Sequence, residues 1–292
     1  MRQVRTVAEL RIALRALREG GKRVGFVPTM GFLHEGHAAL IRQCTARCGA
    51  TVVSIFVNPA QFAANEDLAK YPKDLESDQN LCLKMGVDLL FIPEPQEMYP
   101  AGFGTYVEPG RVAEPLCGQF RPGHFRGVAT VVAKLFNMVQ PDLAFFGQKD
   151  LQQTVVIRRM VKDLNLPVEV IVVPTIREAS GLALSSRNVY LSEEERGRAA
   201  AISQGLFAAE AAYRSGERRA ETLVAHVLER VRPVSSVQYC ELVELQSLQP
   251  VHGPVDRPAA IAVAVFVGTT RLIDNVILAP NLEGAGLSPG PA

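Results

Sequence analysis

The chain has 292 residues, of which 48% are hydrophobic and 21% are charged, and its formal net charge is +1. This composition is typical of a globular protein and excludes a collagen, a coiled coil or a mainly disordered chain. Because the charge is nearly balanced, we expect no surface that neutralises many phosphates and no nucleic-acid partner. At roughly 100 to 200 residues per domain, the length predicts two domains.

Two features of the sequence bear on cellular location. The longest apolar run, residues 259–268, is about half of the roughly 20 residues that a membrane-spanning helix needs, so we expect no membrane contact. The 5 cysteines are scattered and odd in number, and no secretory signal precedes them. They predict reduced thiols in a cytoplasmic protein. Cys44 and Cys48, one helical turn apart, have no second ligand pair nearby, which disfavours a metal or redox pair.

Residues 22–175 alternate short β-rich runs with segments of helical period, after a first helix that begins at a capping box of Thr6 and Glu9. The strands are predicted at 23–28, 51–57, 88–92, 143–146 and 168–174. The helices between them are predicted at 37–47, 75–85, 127–139 and 150–164. Strands that alternate with helices indicate a parallel sheet covered on both faces. We therefore expect residues 1–175 to form a Rossmann-like, doubly wound α/β domain.

The pattern changes beyond residue 175. Two polar helices are predicted at 192–215 and 218–231, followed by strands at 237–245, 259–267 and 271–278. Because consecutive strands joined by a short turn favour antiparallel pairing, we expect residues 176–280 to form a smaller C-terminal α+β domain with an antiparallel sheet. Residues 281–292 are rich in Gly and Pro and are predicted to be a disordered tail.

The loop after the first predicted strand, PTMGFLHEGH at residues 28–37, is a candidate ligand site because ligands of open α/β sheets lie beyond the carboxyl ends of the strands. His34 and His37 stand at the start of a helix, whose N–H groups favour phosphate. The loop matches neither a dinucleotide fingerprint nor a P-loop. Its histidines are three residues apart rather than four and have no evident third partner, which disfavours zinc. Phosphate contact is favoured over metal binding and over a purely structural role.

Three later loops carry further polar side chains. Asn58 and Gln61 offer amides to the hydroxyl and carboxylate groups of a small substrate, although Asn58 could equally stabilise a turn. Lys149 is a cation beside a helix N-terminus, where phosphate binds, although it could be a solvated lysine. The run SSRN at residues 185–188 offers two hydroxyls and a guanidinium that could close over a polyphosphate, although an ordinary turn has the same residue types.

The order of these loops resembles the nucleotidyltransferase superfamily that includes class I aminoacyl-tRNA synthetases, in which a His-x-Gly-His loop and a later basic loop hold ATP. Six segments are more closely similar to successive motifs of the pantothenate synthetase (pantoate-β-alanine ligase) family. They are PTMGFLHEGH, SIFVNPAQF, YPKDLESD, HFRGVATVVAKLF, FFGQKDLQQ and PTIREASGLALSSRN. They follow one another between residues 27 and 190, and the two-domain length also fits.

This resemblance implies a ligase that uses ATP to condense (R)-pantoate with β-alanine, giving pantothenate, AMP and diphosphate through a pantoyl-adenylate. It also implies Mg²⁺ and a homodimer. The ATP-site residues that it implies are Met30, Gly31, Phe32, Leu33, His34, Glu35, Gly36, His37, Gly147, Gln148, Lys149, Asp150, Ile176, Leu184, Ser185, Ser186 and Arg187.

The resemblance also assigns roles within this set. His37 would be the catalytic histidine and His34 its partner on the phosphates. The other catalytic residues that it implies are Lys149, Ser185, Ser186 and Arg187. The implied substrate-binding residues are Asn58, Gln61 and Gln153, with Gln61 also near β-alanine.

Two positions depart from the pattern of the family. Asp78 matches an acidic position near Mg²⁺, but Ser77 stands where some members have a second acid. Leu184 replaces a more usual methionine, an exchange that roughly conserves volume.

Other functions share parts of this pattern. Another adenylyltransferase with the same histidine loop would keep the adenylyl group in its product and would not need the amide motifs. A non-enzymatic nucleotide- or metal-binding module would bind ATP without consuming it. A tRNA ligase is disfavoured by the balanced charge and by the lack of an anticodon-sized domain. For the ligase, we expect residues 185–187 and the second domain to form a lid that shields the adenylate from water.

Overall fold

The computed structural model describes residues 1–63, 68 and 71–279. The predicted disordered tail at 281–292 lies outside these residues. In the part of the chain so described, no helix combines the length and the apolar character needed to cross a lipid bilayer.

A parallel sheet forms the centre of the first part of the chain. Its strands, within the described residues, are Arg2–Val4 (β1), Val24–Thr29 (β2), Ala50–Ile55 (β3), Leu89–Phe91 (β4), Leu143–Gly147 (β5) and Glu169–Val173 (β6). The spatial order is β1-β4-β3-β2-β5-β6, so the chain runs outward from β2 on one side and later crosses to β5 on the other. β1 was not predicted, because three residues are too few to show an alternating pattern.

The helices of this part are Val7–Glu19 (α1), Glu35–Arg47 (α2), Leu75–Lys84 (α3), Pro95–Met98 (α4), Cys117–Phe120 (α5), His124–Val139 (α6) and Leu151–Asp163 (α7). α1 begins at the predicted capping box, in which the Thr6 hydroxyl accepts from the N–H of Glu9 at 3.2 Å. Apolar side chains of α1, α6 and α7 pack on one face of the sheet, and those of α2 and α3 pack on the other. The sheet is therefore covered on both faces, as predicted.

The later part of the chain contains the helices Glu193–Ala199 (α8), Ala201–Arg214 (α9) and Ala220–Val231 (α10). They are followed by the antiparallel strands Ser236–Glu244 (β7), Ala259–Val267 (β8) and Thr270–Leu278 (β9). The helix predicted at 192–215 is divided at Ala200 into α8 and α9. The predicted fold class, a doubly wound parallel sheet followed by an antiparallel α+β unit, is confirmed.

The central strand β8 joins the two parts of the molecule. Because side chains alternate along a strand, its two faces carry different residues. The small residues Ala260, Ala262 and Ala264 belong to the core that includes α6 and α7. Ile261 and Val263, together with their neighbours on that face, pack with α9 and α10. The division into domains at residue 175 stays a prediction, and the two sheets share a core through β8.

Candidate active site

A cavity of about 240 Å³ lies beyond the carboxyl ends of strands in the parallel sheet. Its wall includes Thr29 at the end of β2, Phe56 just after β3, Gly147 at the end of β5 and Pro174 just after β6. The chain leaves β2 on one side for β3 and returns on the other to β5. Ligands of open α/β sheets bind at such a switch point, so this cavity is the candidate active site.

The histidine loop, residues 28–37, turns tightly over a buried carboxylate. Gly31 and Phe32 both have left-handed backbone, with φ of 85° and 52°. Asp78, at 2% exposure, accepts from the N–H of Phe32 at 2.9 Å and from that of Leu33 at 2.6 Å. A Cβ at Gly31 would come within 3.0 Å of this carboxylate, so both φ and space require glycine there. Asp78 thus fixes the shape of the loop.

His34 and His37 are tied to each other at the start of α2. The N–H of His34 donates to Nδ1 of His37 at 3.2 Å, and Nδ1 of His34 accepts from the N–H of Gly36 at 3.1 Å. A Cβ at Gly36 would come within 2.9 Å of the His34 ring, so any larger residue at position 36 would displace that ring. Because both Nδ1 atoms accept, each neutral ring carries its proton on Nε2.

Both rings are held in the neutral form. Burial, and to a smaller extent the charge of Lys149, lowers the pKa of His34 to about 4. Burial, with His34 and Lys149 nearby, lowers the pKa of His37 to about 3. At neutral pH the pair therefore offers uncharged Nε2–H donors. Such donors can contact phosphate oxygens while charge develops on them.

The predicted metal position, Asp78, does not line the cavity. Burial raises its pKa, although the two N–H groups that it accepts act in the opposite direction. Across residues 1–63, 68 and 71–279, no group of three or more His, Cys, Asp or Glu side chains is arranged to hold a metal ion. Metal binding by Asp78 stays a prediction, whereas its contacts give it a role in shaping the histidine loop.

Asn58 and Gln61 lie just beyond β3. Asn58 is 1% exposed, and its Oδ1 accepts from the Tyr99 hydroxyl at 2.7 Å. Its Nδ2 donates to Oε1 of Gln61 at 3.0 Å and to the carbonyl of Gly127 at 3.2 Å. Gln61 lines the cavity, with Nε2 3.2 Å from the Met30 sulfur. Asn58 Oδ1 also accepts from the N–H of Ala60 at 3.3 Å, which is the turn-stabilising contact that the sequence left open. Asn58 lines the cavity as well, beside the Gln61 amide that it orients.

The start of α7 places one of two neighbouring glutamines at the cavity. Gln153 lines the cavity wall. Gln152 is buried, accepts from the N–H of Cys117 and donates to the carbonyls of Val112 and Pro115. Of this pair, Gln153 is the one placed to contact a ligand.

Lys149 and Asp150 belong to a 3-10 turn, Gln148–Asp150, between β5 and α7. Lys149 Nζ lies 3.8 Å from Oδ1 of Asp150, and the Lys149 side chain is 19% exposed. Asp150 precedes α7, but its side chain makes no capping hydrogen bond to that helix. Both side chains line the cavity, which favours ligand contact over the solvated-lysine alternative.

The basic loop, residues 185–187, closes another side of the cavity. It follows Leu184, whose N–H donates to the carbonyl of Ile176 at 3.0 Å. The Ser185 hydroxyl accepts from the N–H of Arg187 at 3.3 Å, which starts a 3-10 turn there. The structure thus brings the first and last predicted ATP loops to one cavity.

The predicted ATP-site residues divide into two groups. Those that line the cavity are Met30, His34, Gly36, His37, Gly147, Lys149, Asp150, Ile176, Leu184, Ser185, Ser186 and Arg187. Those that do not are Gly31, Phe32, Leu33, Glu35 and Gln148. Glu35 pairs with Arg42 instead, and Gln148 donates to the Asn275 side chain at 3.2 Å.

Two basic residues that were not predicted as site residues, Arg121 and His124, also line the cavity. His124 Nδ1 lies 2.9 Å from the carbonyl of Gln61, and its Nε2 lies 3.1 Å from NH1 of Arg121. Because the carbonyl is an acceptor, Nδ1 donates to it and Nε2 accepts from Arg121. The basic residues of the run RPGHFRG at 121–127 could have indicated a site. They were not assigned to one, because no predicted strand precedes the run.

Tyr71 and Thr175 were also missed. The Tyr71 hydroxyl lies 3.3 Å from that of Ser186, and burial raises the pKa of Tyr71. Tyr71 begins the motif YPKDLESD, so its position was marked although its role was not. Thr175 lines the cavity, and its buried hydroxyl has no hydrogen-bond partner among the described residues.

Comparison with known proteins agrees with this geometry. The sequence profile of the pantoate-beta-alanine ligase family matches residues 2–277. The chain belongs to this family. It is 58% identical over 278 residues to pantothenate synthetase 1 of Bradyrhizobium diazoefficiens, which covers 95% of this chain and 98% of that protein. It is 53% identical to the pantothenate synthetase of Pelotomaculum thermopropionicum, with 94% and 97% covered. The resemblance seen in the six motifs is confirmed.

Solved structures of the family have the same fold. The structure of pantothenate synthetase from Thermus thermophilus has a TM-score of 0.90 at 48% identity and covers 96% of this chain and 100% of that one. The pantoate-beta-alanine ligase from Francisella tularensis, solved in complex with beta-gamma ATP and beta-alanine, has a TM-score of 0.77 at 33% identity. In that comparison 95% of this chain and 97% of that chain are covered.

Proposed function

We propose that this member of the pantoate-β-alanine ligase family uses ATP to condense (R)-pantoate with β-alanine, releasing pantothenate, AMP and diphosphate. One observation carries the proposal. The paired histidines, the cations Lys149 and Arg187 and the amide of Gln61 all line one cavity. This set combines donors for phosphate oxygens, charges for a polyphosphate and an uncharged group for a hydroxy acid.

ATP would lie with its phosphates between the histidine loop and the basic loop. The N-terminus of α2 and the Nε2–H groups of His34 and His37 suit an anionic oxygen on the phosphate that is attacked. Lys149 and Arg187 would offset the charge of the other phosphates. The unpaired hydroxyl of Thr175 supports a polar ligand group at that wall, because buried polar atoms are normally hydrogen-bonded.

Pantoate would lie against Gln61 and Gln153 with its carboxylate facing the α-phosphorus. A carboxylate oxygen forms a bond to that phosphorus, the bond to the diphosphate oxygen breaks, and diphosphate leaves. Both reactants are anionic, so the cation of Lys149 offsets their repulsion when they bind, and the donors of His37 stabilise the charge that builds up as the phosphorus becomes pentacoordinate. The site also lowers the activation free energy by holding the carboxylate in line with the phosphorus.

β-Alanine completes the reaction on the bound adenylate. Its amine attacks the acyl carbon, the carbon–oxygen bond to AMP breaks, and the nitrogen loses a proton. Arg121, whose NH2 donates to the Gln61 carbonyl at 3.3 Å, offers a guanidinium to the β-alanine carboxylate beside the amide of Gln61. The basic loop and the C-terminal sheet would shield the adenylate from water until the amine attacks.

Mg²⁺ belongs to the same proposal. Among the described residues that line the cavity, Asp150 is the one with a carboxylate. Mg²⁺ is commonly held by one or two carboxylates together with substrate phosphates, so Asp150 fits this part better than Asp78, whose oxygens accept backbone N–H groups. When bound, the ion would neutralise charge on the leaving diphosphate.

The wider setting is also proposed. A cytoplasmic location is supported by the 5 cysteines, which form no disulfide. The family resemblance supports a homodimer. The change of pattern along the chain supports domains at 1–175 and 176–280.

Product analysis tests the proposed function. The protein is incubated with ATP, Mg²⁺ and (R)-pantoate, with and without β-alanine. We expect sustained turnover to AMP and diphosphate only when (R)-pantoate and β-alanine are both present, and exchange of labelled diphosphate into ATP with (R)-pantoate alone. His252→Ala, an exposed histidine outside the cavity, is the matched control for His37→Ala. Intact ATP, or transfer of the adenylyl group to a nucleotide, would overturn the proposal.

A further inference from the structure

Two adjacent polar side chains on β9 are buried where the two sheets meet. Asp274 and Asn275 are 3% and 2% exposed. Burial of a carboxylate or an amide costs free energy unless its polar atoms have partners. Their side chains have hydrogen-bond partners in the two loops that carry Lys149 and Arg187.

Asn275 holds the turn that carries Lys149. Its Nδ2 donates to the carbonyl of Gln148 at 2.9 Å and to that of Lys149 at 3.0 Å. Its Oδ1 accepts from Nε2 of Gln148 at 3.2 Å. A side-chain amide can donate twice and accept at the same time. The backbone of the turn before α7 is thus fixed by a strand of the other sheet.

Asp274 holds the loop that leads to Arg187. Its two oxygens accept from NH1 and NH2 of Arg177, at 2.5 Å and 3.0 Å, which makes a bidentate pair. NH1 of Arg177 also donates to the carbonyl of Gly181 at 3.1 Å, and the guanidinium lies 4.9 Å from the Phe207 ring centroid. Arg177 is therefore held in one position.

A hairpin, residues 176–184, connects Arg177 to the basic loop. Arg177 forms a bridge with Ala183, and the N–H of Glu178 donates to the carbonyl of Leu182 at 2.8 Å. The second arm of this hairpin ends directly before Ser185. Because the two arms are hydrogen-bonded to each other, a contact that fixes the first arm also fixes where residues 185–187 begin.

Neighbouring residues of a strand point to opposite faces, so one dipeptide can reach two separate loops. We propose that Asp274 and Asn275 are a positioning pair that fixes the two cationic loops of the active site relative to each other. The inference rests on the proposed function, since it assigns both loops to ATP. Neither residue lines the main cavity, although both line a smaller cavity beside it together with Lys149 and Arg187. Their hydrogen bonds to Gln148, Lys149 and Arg177 give them the positioning role.

The first test is a double-mutant cycle between Asn275→Ala and Lys149→Ala, measured as pantoate-dependent ATP–diphosphate exchange. Loss of the three hydrogen bonds to the turn should raise KM for ATP on the order of tenfold and leave KM for pantoate within about twofold. In the Lys149→Ala background the same change should have less than about a twofold effect, because the side chain being positioned is gone. Additive effects would overturn the proposal.

The second test combines a substitution of each residue of the pair with a substitution in each cationic loop. Asp274→Asn should couple to Arg187→Ala and not to Lys149→Ala, whereas Asn275→Ala should show the reverse. Val276→Ala, in the next position of β9 and 7% exposed, is the control for general loss of stability and should leave KM for ATP unchanged. Asn275→Asp, which keeps the size of the side chain but not its donors, should behave as Asn275→Ala does.

The outcomes separate the inference from the proposed function. If the unsubstituted protein shows no exchange, the proposed function fails, and the same cycles are then measured as Kd for ATP by calorimetry. If exchange is present but the cycles are additive, the positioning pair alone fails. If both Asn275 variants lack a cooperative thermal transition while Val276→Ala retains one, the residue is structural and the inference is wrong.

Discussion

The two halves of the active site are held in different ways. The histidine loop is fixed within the parallel-sheet part of the molecule, by the bonds between His34 and His37 and by Asp78 under the turn. The cationic half, with Lys149 and the basic loop, is reached by contacts from β9 of the other sheet. The half that donates hydrogen bonds is thus built by its own sheet, whereas the charged half depends on how the two sheets pack. We expect changes in the first half to act on the chemical step and changes in the second to act on ATP binding.

The largest expected effect is that of His37→Ala. The exchange rate should fall on the order of 10² to 10³ or more, the usual scale for removal of a transition-state donor, while KM for ATP changes little. Circular dichroism and thermal unfolding should show a folded protein. Exchange near the unsubstituted rate would remove His37 from the mechanism.

Lys149→Ala and Arg187→Ala test whether the cationic half of the site acts on ATP binding. Each removes one cation from the polyphosphate site, so KM for ATP should rise by about 10-fold to 100-fold with a smaller change in kcat. Stability should change little, because partly exposed charges rarely hold a fold together. A fall in kcat at unchanged KM would place these residues with the histidines, and unfolded variants would make them structural.

The dependence of stability on pH tests the lowered pKa values of His34 and His37. Their pKa values, about 4 for His34 and about 3 for His37, lie below the ordinary value of 6.5, so the unfolded chain binds more protons between these limits. The free energy of unfolding should therefore decrease as pH falls from about 6.5 towards 4. Urea unfolding of His37→Ala should show a shallower decrease than that of the unsubstituted protein. Parallel pH profiles would contradict the neutral state of His37 in the folded protein.

The smallest expected effect is that of Leu184→Met. Leu184 lines the cavity, and the exchange roughly conserves the volume of the side chain. We expect KM for ATP and kcat to change by less than about twofold in steady-state assays. A larger change would mean that the shape of this wall, and not the cations alone, determines nucleotide binding.

Most of the fold could be predicted, because each buried strand and amphipathic helix leaves a periodic pattern in its own residues. The exceptions have local causes. β1 has three residues and the unpredicted helices α4 and α5 have four each, which is too short for a periodic pattern. The break at Ala200 between α8 and α9 interrupts a continuous helical pattern. The strong pattern of β8 predicted a strand but not that its two faces belong to two cores.

The candidate site was predictable where its residues follow a strand in sequence, as His34, His37 and Lys149 do. Arg121 and His124 do not follow a strand, and both contact the carbonyl of Gln61 at the cavity. Gln61 precedes His124 by 63 positions in the sequence. Asn275 lies 126 positions from Lys149, whose carbonyl it holds. Such partners depend on packing between distant segments, and a single sequence gives no pattern for them. Asp78 was assigned to Mg²⁺ by its match to an acidic position of the family, and that assignment stays a prediction; its place under the turn, where it accepts two backbone N–H groups, had no signal in the sequence.

The central claim is that the pantoate carboxylate attacks the α-phosphorus of ATP, and isotope transfer tests it most directly. (R)-Pantoate labelled with ¹⁸O in both carboxylate oxygens is converted with ATP and β-alanine, and the products are examined by mass spectrometry. The account predicts one ¹⁸O atom in AMP and one in the new amide for each turnover, because the oxygen bonded to phosphorus leaves with AMP. Unlabelled AMP, with ¹⁸O in the diphosphate or in inorganic phosphate, would contradict it.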